Sequence, residues 1–295
     1  MVALYFCVII FFYIKVIIMG YTIDTTKYMD RALNACKRCG LNIDLTNPKT
    51  IQDKLTWLNI YDTDSMKCFC ADKIKVHEYC KEKLGKDICI PIIKVYNKPE
   101  EINFDELPNK FVAKCNHGSG MNIIVKDKSK INKKEIISKL NTWLGRDFTF
   151  QNGFEAHYHD IERKCFVETF MDDGNVTLYD YKFWCFNGEP KFYTINDGYG
   201  HSKWMYFYDM NQNKLSYMRT DFQGHPTTNV RQPSKFNEMV EYAKKLSEPF
   251  KFVRVDFYEI DGTVYLGELT FTPGANYFRY KNHEDEIKLG NMLKL

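Results

Sequence analysis

The chemistry hardest to explain as packing lies near the C-terminal end of the chain. In Phe252-Val253-Arg254-Val255-Asp256-Phe257-Tyr258, apolar and charged residues alternate. A strand here puts Val253, Val255 and Phe257 on one face and Arg254 with Asp256 on the other. In the next strand, Val264–Phe271, Glu268 and Thr270 share a face. Two carboxylates and a guanidinium among apolar neighbours are costly to bury unless a cation or an anionic ligand completes them. A purely structural arginine–carboxylate network would use the same residues. Register separates the two readings. A two-residue Asp261-Gly262 turn pairs Ile260 with Thr263, sets Asp256 opposite Gly267 and turns Glu268 to the other side of the sheet. A three-residue loop, Ile260 to Gly262 with Gly262 left-handed, pairs Glu259 with Thr263 and brings Arg254 opposite Glu268. The metal-binding reading requires the second register, and that register is expected. Two carboxylates so placed should repel in the empty protein, so removing the Glu268 charge should leave the empty fold level or more stable.

Other chemistry-bearing residues need elements to position them. Phe111–Lys114 and Asn122–Val125 read as two strands joined by the polar turn Asn116-His117-Gly118-Ser119-Gly120. A lysine at a strand end is commonly solvated, and this glycine pattern fits neither a Walker A nor a kinase loop. Asn132, with Glu135 three residues on, opens a helix whose stripe is Ile136, Ile137, Leu140, Trp143 and Leu144. Asp72–Leu84 has a partly helical spacing closed by Gly85. Cys165–Phe170 and Leu178–Phe186 read as strands, and Asn187-Gly188 turns the second into Lys191–Ile195. Asp180 and Lys182 share a face of their strand, either a charged exposed face or part of a site. Ser234 is expected to cap a helix with Phe236, Met239, Val240, Ala243 and Leu246 on its apolar side. The fold class is therefore α+β with mainly antiparallel sheet.

Composition narrows the function. The chain has 295 residues, 44% hydrophobic and 16% aromatic, enough for a sizeable core and against intrinsic disorder. Its 41 basic and 38 acidic residues leave a net charge of +3, which gives no electrostatic reason to expect nucleic acid as a partner. The ten cysteines are irregularly spaced and read as free, reduced thiols of a cytoplasmic protein. Cys36, Cys39, Cys68 and Cys70 offer four thiolates to zinc in principle, but the second pair is too closely spaced. Val2–Ile18 is apolar apart from Lys15 and is followed by Met19-Gly20. Residues 1–19 read as an upstream extension of a start at Met19 or as a weak membrane anchor. Asp62-Thr63-Asp64 is a DxD-like triplet of the kind sugar-nucleotide-dependent glycosyltransferases use. Trp204, Tyr206, Phe207, Tyr208 and Tyr217 cluster in a region that reads as core or pocket wall, although such rings also stack on sugars.

Taken together, these motifs carry a resemblance. Arg254-Val255-Asp256-Phe257, Asp261-Gly262 and Glu268-x-Thr270-x-x-Pro273-Gly274 resemble the magnesium-binding end of ATP-grasp ligases. From about 50 to 290 the chain is similar to the TupA-like branch of ATP-grasp proteins. The matching motifs are Thr56-Trp57-Leu58, Ala71-Asp72-Lys73, Leu107-Pro108-x-x-Phe111-Val112-x-Lys114, Asn116–Gly120, Asp180-Tyr181-Lys182-Phe183 and Gly267–Phe271. The resemblance implies an ATP-grasp fold with an N-terminal subdomain over 20–106, a lid over 107–164 and a catalytic part over 165–295. It implies that Lys114 and Lys182 hold ATP phosphates and that His117, Gly118, Ser119 and Gly120 form the loop over them. Glu168 and Phe170 mark the hinge that takes ribose and adenine. Asp256 and Glu268 would hold magnesium, with Thr270 where the superfamily commonly has asparagine, and Arg254 would neutralise the transferred phosphoryl group. The implied activity is an ATP- and magnesium-dependent ligase that activates a carboxylate as an acyl phosphate for an amine acceptor. The implied setting is cell-surface polysaccharide biosynthesis, with the glycosyltransferase as the alternative.

Overall fold

Helices dominate the described residues up to Leu84. The computed structural model describes residues 20–172, 178–197, 204–217, 219–222 and 230–295. Within them α1 (Met29–Arg38), α2 (Ile51–Tyr61), α3 (Met66–Ala71) and α4 (Val76–Leu84) follow one another. A reciprocal cap starts α2: Asp53 N–H donates to Thr50 Oγ1 at 3.1 Å, and Thr50 N–H donates to the Asp53 carboxylate at 2.9 Å. Gly85, at φ 73°, ends α4 in the left-handed conformation that the sequence predicts.

Two antiparallel sheets follow. The smaller has the order β1-β4-β2-β3, built from β1 (Ile92–Tyr96), β2 (Phe111–Cys115), β3 (Asn122–Val125) and β4 (Cys165–Thr169). Helix α5 (Lys133–Leu144) lies between β3 and β4 in sequence, and its Ile136 and Leu140 pack onto Phe111, Ala113 and Val167. Asn132 caps it by accepting Glu135 N–H. This sheet draws strands from all three segments that the resemblance delimits.

The larger sheet has the order β10-β9-β5-β6-β7-β8. Its strands are β5 (Tyr179–Phe186), β6 (Glu189–Asp197), β7 (Met205–Asp209), β8 (Lys214–Leu215), β9 (Phe252–Ile260) and β10 (Thr263–Thr270). The β5–β6 turn puts Asn187 and Gly188 at φ 51° and 79°, the geometry that makes Asn-Gly a hairpin signal. Period-two alternation gives the sheet two different faces. Phe183, Val253, Val255 and Phe257 meet α6 (Phe236–Ser247) through Phe236, Met239, Ala243 and Leu246. The expected cap of α6 does not form: Ser234 Oγ donates instead to Glu259 on β9, and the helix begins at Phe236 without a side-chain cap. On the opposite face, Trp184, Phe186, Phe192 and Phe252 pack against Leu55 and Leu58 of α2 and Leu289 of α7 (His283–Asn291). Along β5 and β9 that aromatic layer gives way to Lys182, Asp180, Arg254 and Asp256. The polar site begins where the helical cover ends.

The aromatic cluster singled out in the sequence belongs to the cores. Tyr206 and Tyr208 are buried in one and Phe207 in another, with Trp204 and Tyr217 packed partly buried beside them. The apolar run 2–18 lies outside the described residues. No helix among the described residues is long and apolar enough to cross a membrane.

Candidate active site

The β9–β10 hairpin sets Arg254, Asp256, Glu268 and Thr270 on one face as expected, but by another route and with other partners: Arg254 faces Thr270, not Glu268. Its turn is the two-residue one, with Asp261 at φ 50° and Gly262 at φ 72°, and Ile260 pairs with Thr263. The three-residue loop expected from the sequence is not formed. A bulge at Gly267 then shifts the register, so Glu268 pairs with Asp256 and Thr270 with Arg254. One extra residue in a ladder of period two moves every later side chain to the other face. Glu268 and Thr270 are thereby returned to the face of Arg254 and Asp256. Glycine is required at the bulge, because a Cβ there would lie 2.8 Å from the Tyr258 ring.

The charges on this face form a closed network. Arg254 donates Nε to Asp256 Oδ1 at 2.7 Å and Nη2 to Asp256 Oδ2 at 2.6 Å. The same Nη2 reaches Glu268 Oε1 at 3.2 Å and Thr270 Oγ1 at 3.1 Å, and Thr270 donates to Glu268 at 2.7 Å. Lys182, in register with Asp256, donates Nζ to Asp256 Oδ2 at 2.6 Å and also to Asp180. Burial pushes the Asp180 carboxyl up to about 6, against the pull of Lys182. Burial also opposes charge on Glu268, yet Lys73, Arg254 and Lys182 outweigh it and hold that carboxyl down at about 2. Arg254 is kept protonated by Asp256 and Glu268 although it is buried. The two carboxylates therefore do not simply repel in the empty protein, because Arg254 bridges them. The expectation that the fold gains from losing the Glu268 charge is corrected on that ground.

Two further cations flank the loop after β2: Lys114 on that strand and Lys73 between α3 and α4. Lys114 and Glu168 form an ion pair across β2 and β4, so the residues assigned to phosphate and ribose hold each other. Lys73, which the sequence placed in a motif but not in the site, donates Nζ to Gly118 O at 2.6 Å. Burial lowers its pKa, while Glu268 pulls it back up and Lys114 depresses it further.

The loop between β2 and β3 is pinned from beneath. Asn116 donates Nδ2 to Asp72 Oδ1 and to Glu162 O, both at 2.9 Å. His117 is buried under α5, with Nε2 3.2 Å from Trp143 O, and burial lowers its pKa. Its ring is committed to the helix, so any contact it makes with a ligand at the cavity falls to the backbone. A Cβ at Gly118 would lie 2.5 Å from the Phe148 ring, so only glycine fits there. Gly120, at φ 71°, has open space around it. Phe170 sits half-buried past the end of β4, under the ammonium of Lys110 at 5.6 Å.

A cavity of about 390 Å³ opens at this place, lined among others by Ser119, Tyr158, Arg254, Glu268, Thr270 and Tyr277. It brings together four of the residues selected from the sequence: Ser119, Arg254, Glu268 and Thr270. Lys182 and Asp256 stand behind its wall, and the Lys114–Glu168 pair is not part of its lining. The donor set suits a hard divalent cation. Glu268 is ionised and a third open, Asp256 is its register partner, and Thr270 adds a hydroxyl. Asp62 and Asp64 of the DxD-like triplet are used locally: Asp62 takes Lys67 Nζ at 2.7 Å, and Asp64 Oδ1 accepts Met66 N–H at 2.9 Å. The four cysteines weighed for zinc do not form a ligand-spaced group among the described residues.

Comparison with known proteins supplies the family. Residues 53–294 match the family described as TupA-like ATPgrasp. A search of curated proteins finds no significant match. Among solved structures, D-alanine–D-alanine ligase from Helicobacter pylori is 19% identical with a TM-score of 0.43, and the match covers 82% of this chain and 69% of that one. L-amino acid ligase from Bacillus licheniformis is 12% identical with a TM-score of 0.47, over 84% of this chain and 55% of that one. D-alanine–D-alanine ligase from Bacillus anthracis, complexed with ATP, is 18% identical with a TM-score of 0.40, over 78% and 66%. The chain thus spans little more than half to two thirds of the length of these proteins. The match over 53–294 shows the family: the chain belongs to the TupA-like ATP-grasp proteins.

Proposed function

We propose that the protein is an ATP- and magnesium-dependent ligase that phosphorylates a substrate carboxylate and passes the resulting acyl phosphate to an amine. The observation that carries this reading is the pairing of cations with carboxylates at the cavity wall, behind it and on the smaller sheet. Lys114 is held by Glu168, Lys182 by Asp180 and Asp256, and Arg254 by Asp256 and Glu268. A polyphosphate entering with a divalent cation would exchange these pairs: phosphate oxygens take the cations, and the metal takes Asp256 and Glu268. The exchange conserves charge in a buried place, where an uncompensated ion is costly. A bound metal would neutralise charge developing on the transferred phosphoryl group. The remaining chemistry falls to the chain. Lys114 and Lys182 hold phosphate oxygens as point charges, backbone N–H groups of Gly118–Gly120 cover them, and Arg254 meets charge on the acyl phosphate. No covalent residue is required, since phosphoryl transfer is mostly positioning and charge neutralisation.

In this reading 20–106, 107–164 and 165–295 act as N-terminal subdomain, lid and catalytic part, and Glu168 and Phe170 meet the nucleoside. The TupA-like resemblance suggests a role in cell-surface polysaccharide biosynthesis, with an amino acid or a uronic acid as the carboxylate. The glycosyltransferase reading is not favoured, because its DxD-like triplet is engaged locally, Asp62 by the Lys67 ammonium and Asp64 by the Met66 N–H. Incubation with ATP, magnesium and a panel of carboxylates and amines tests the proposal. It predicts ADP and phosphate in step with amide formation. Consumption of a UDP-sugar without ATP turnover would overturn it.

A further inference from the structure

The cavity contains a carboxylate that phosphate binding leaves unused. Glu155 lies between α5 and β4, is only 4% exposed and forms part of the cavity wall. Its two oxygens accept from the Thr272 hydroxyl and, at 3.0 Å, from Asn152 Nδ2. Both partners are neutral. Asp256 and Glu268 each meet Arg254, whereas among the described residues no Lys, Arg or His forms an ion pair with Glu155. A buried carboxylate with only neutral partners is incomplete until a cation reaches it, and in its absence burial raises the Glu155 pKa.

The wall around it is built at a cost. Gly274, Ala275 and Asn276 follow one another at φ 55°, 52° and 64°, and two of the three carry a side chain in the left-handed region. Such backbone is disfavoured for ordinary residues and gathers at ligand clamps. It carries the chain from Thr272, which holds Glu155, to Tyr277, whose ring lines the cavity with Tyr158. Aromatic faces beside a carboxylate suit an ammonium group. Arg254 and Glu268 line the same cavity, so it offers a carboxylate for a cation and, in Arg254, a cation for an anionic group.

The geometry points to Glu155 as the receptor for the positively charged amino group of the acceptor. The acceptor is then an ammonium-bearing molecule held between Glu155 and Arg254; it gives one proton to Glu155, and the neutral nitrogen then bonds to the acyl carbon as the carbon–oxygen bond to phosphate breaks. This rests on the ligase reading above and adds to it a residue and a charge for the acceptor.

Glu155→Gln separates charge from shape, because an amide can accept from Asn152 and donate to Thr272. The test uses the full chain with magnesium and a non-hydrolysable ATP analogue. α-Amino acids and 2-amino sugars are titrated in turn, each beside its N-acetylated form, with thermal melts and calorimetry as readouts. At least one free amine should raise the melting temperature and its N-acetyl form should not. Glu155→Gln should weaken that amine roughly ten- to a hundredfold and leave the affinity for the ATP analogue unchanged. Equal binding of the N-acetyl form, full affinity in Glu155→Gln, or no response to any amine while the analogue binds would each overturn the assignment. If Glu155→Gln fails to fold, the comparison of amine with N-acetyl amine in the wild type still decides. Failure to bind the ATP analogue at all would instead remove the ligase reading, and the acceptor site with it.

Discussion

Replacing Glu268 with Gln removes one charge from the network and changes little else in shape. A carboxyl held at about 2 in place of its ordinary 4.5 has its charged form favoured by about 3 kcal/mol. A third of the side chain is open to the cavity, so solvent screening cuts this to roughly 1–2 kcal/mol. Because folding depresses this pKa, the stabilisation is present above pH 4.5 and is lost as the pH falls through about 2. At neutral pH the empty variant should therefore melt a few degrees below the wild type, and the gap should close towards pH 2. With ATP and magnesium the wild type should gain stability that the variant does not. Turnover should fall by orders of magnitude, because the lost charge serves the metal. Thermal melts of both proteins, empty and with nucleotide, decide the matter. An empty Glu268→Gln that melts at or above the wild type would refute the network as drawn, and one that stays fully active would refute the metal assignment.

Other perturbations follow from the same geometry. Lys114→Ala should lose a charge-assisted phosphate contact, roughly ten- to a hundredfold in ATP affinity by calorimetry, and Cys36→Ser with Cys39→Ser should leave that affinity unchanged. Gly267→Ala drives a methyl group into the Tyr258 ring and should destabilise by about 1–3 kcal/mol in denaturant titrations, with the loss of activity exceeding that of a remote substitution of equal cost. His157 is wholly buried, and burial lowers its pKa to about 3 from the ordinary 6.5. Its unfolded form binds the extra proton, so stability should fall as the pH drops from 6.5 towards 3, and His157→Gln should flatten that slope in pH-dependent melts.

Legibility followed the range of the physics. Period-two alternation displayed Arg254 and Asp256 on one face, and Asn187-Gly188 announced its hairpin, because both signals are local. The Gly267 bulge was missed because alternation assumes an unbroken ladder. A glycine immediately before a carboxylate on the same strand was the available sign. Lys73 stood in a recognised motif without a role, since what sets it in the site is the approach of Gly118 from another element. Glu155 was invisible for the same reason: a carboxylate in a loop reads as solvated until Thr272 and Asn152 enclose it. Ser234 lost its helix to Glu259, a competition between a local cap and a tertiary partner that sequence spacing does not record.

Activation of a carboxylate with ATP, as proposed for this site, is reported most directly by oxygen transfer. Candidate carboxylates labelled with ¹⁸O are incubated with the protein, ATP, magnesium and amines, and the released phosphate is analysed by mass. An acyl phosphate formed at Arg254, Asp256 and Glu268 carries one carboxylate oxygen into each phosphate as the amine displaces it, so labelled phosphate should appear in step with ADP. Phosphate that forms with ADP yet takes its oxygen only from water would contradict the account.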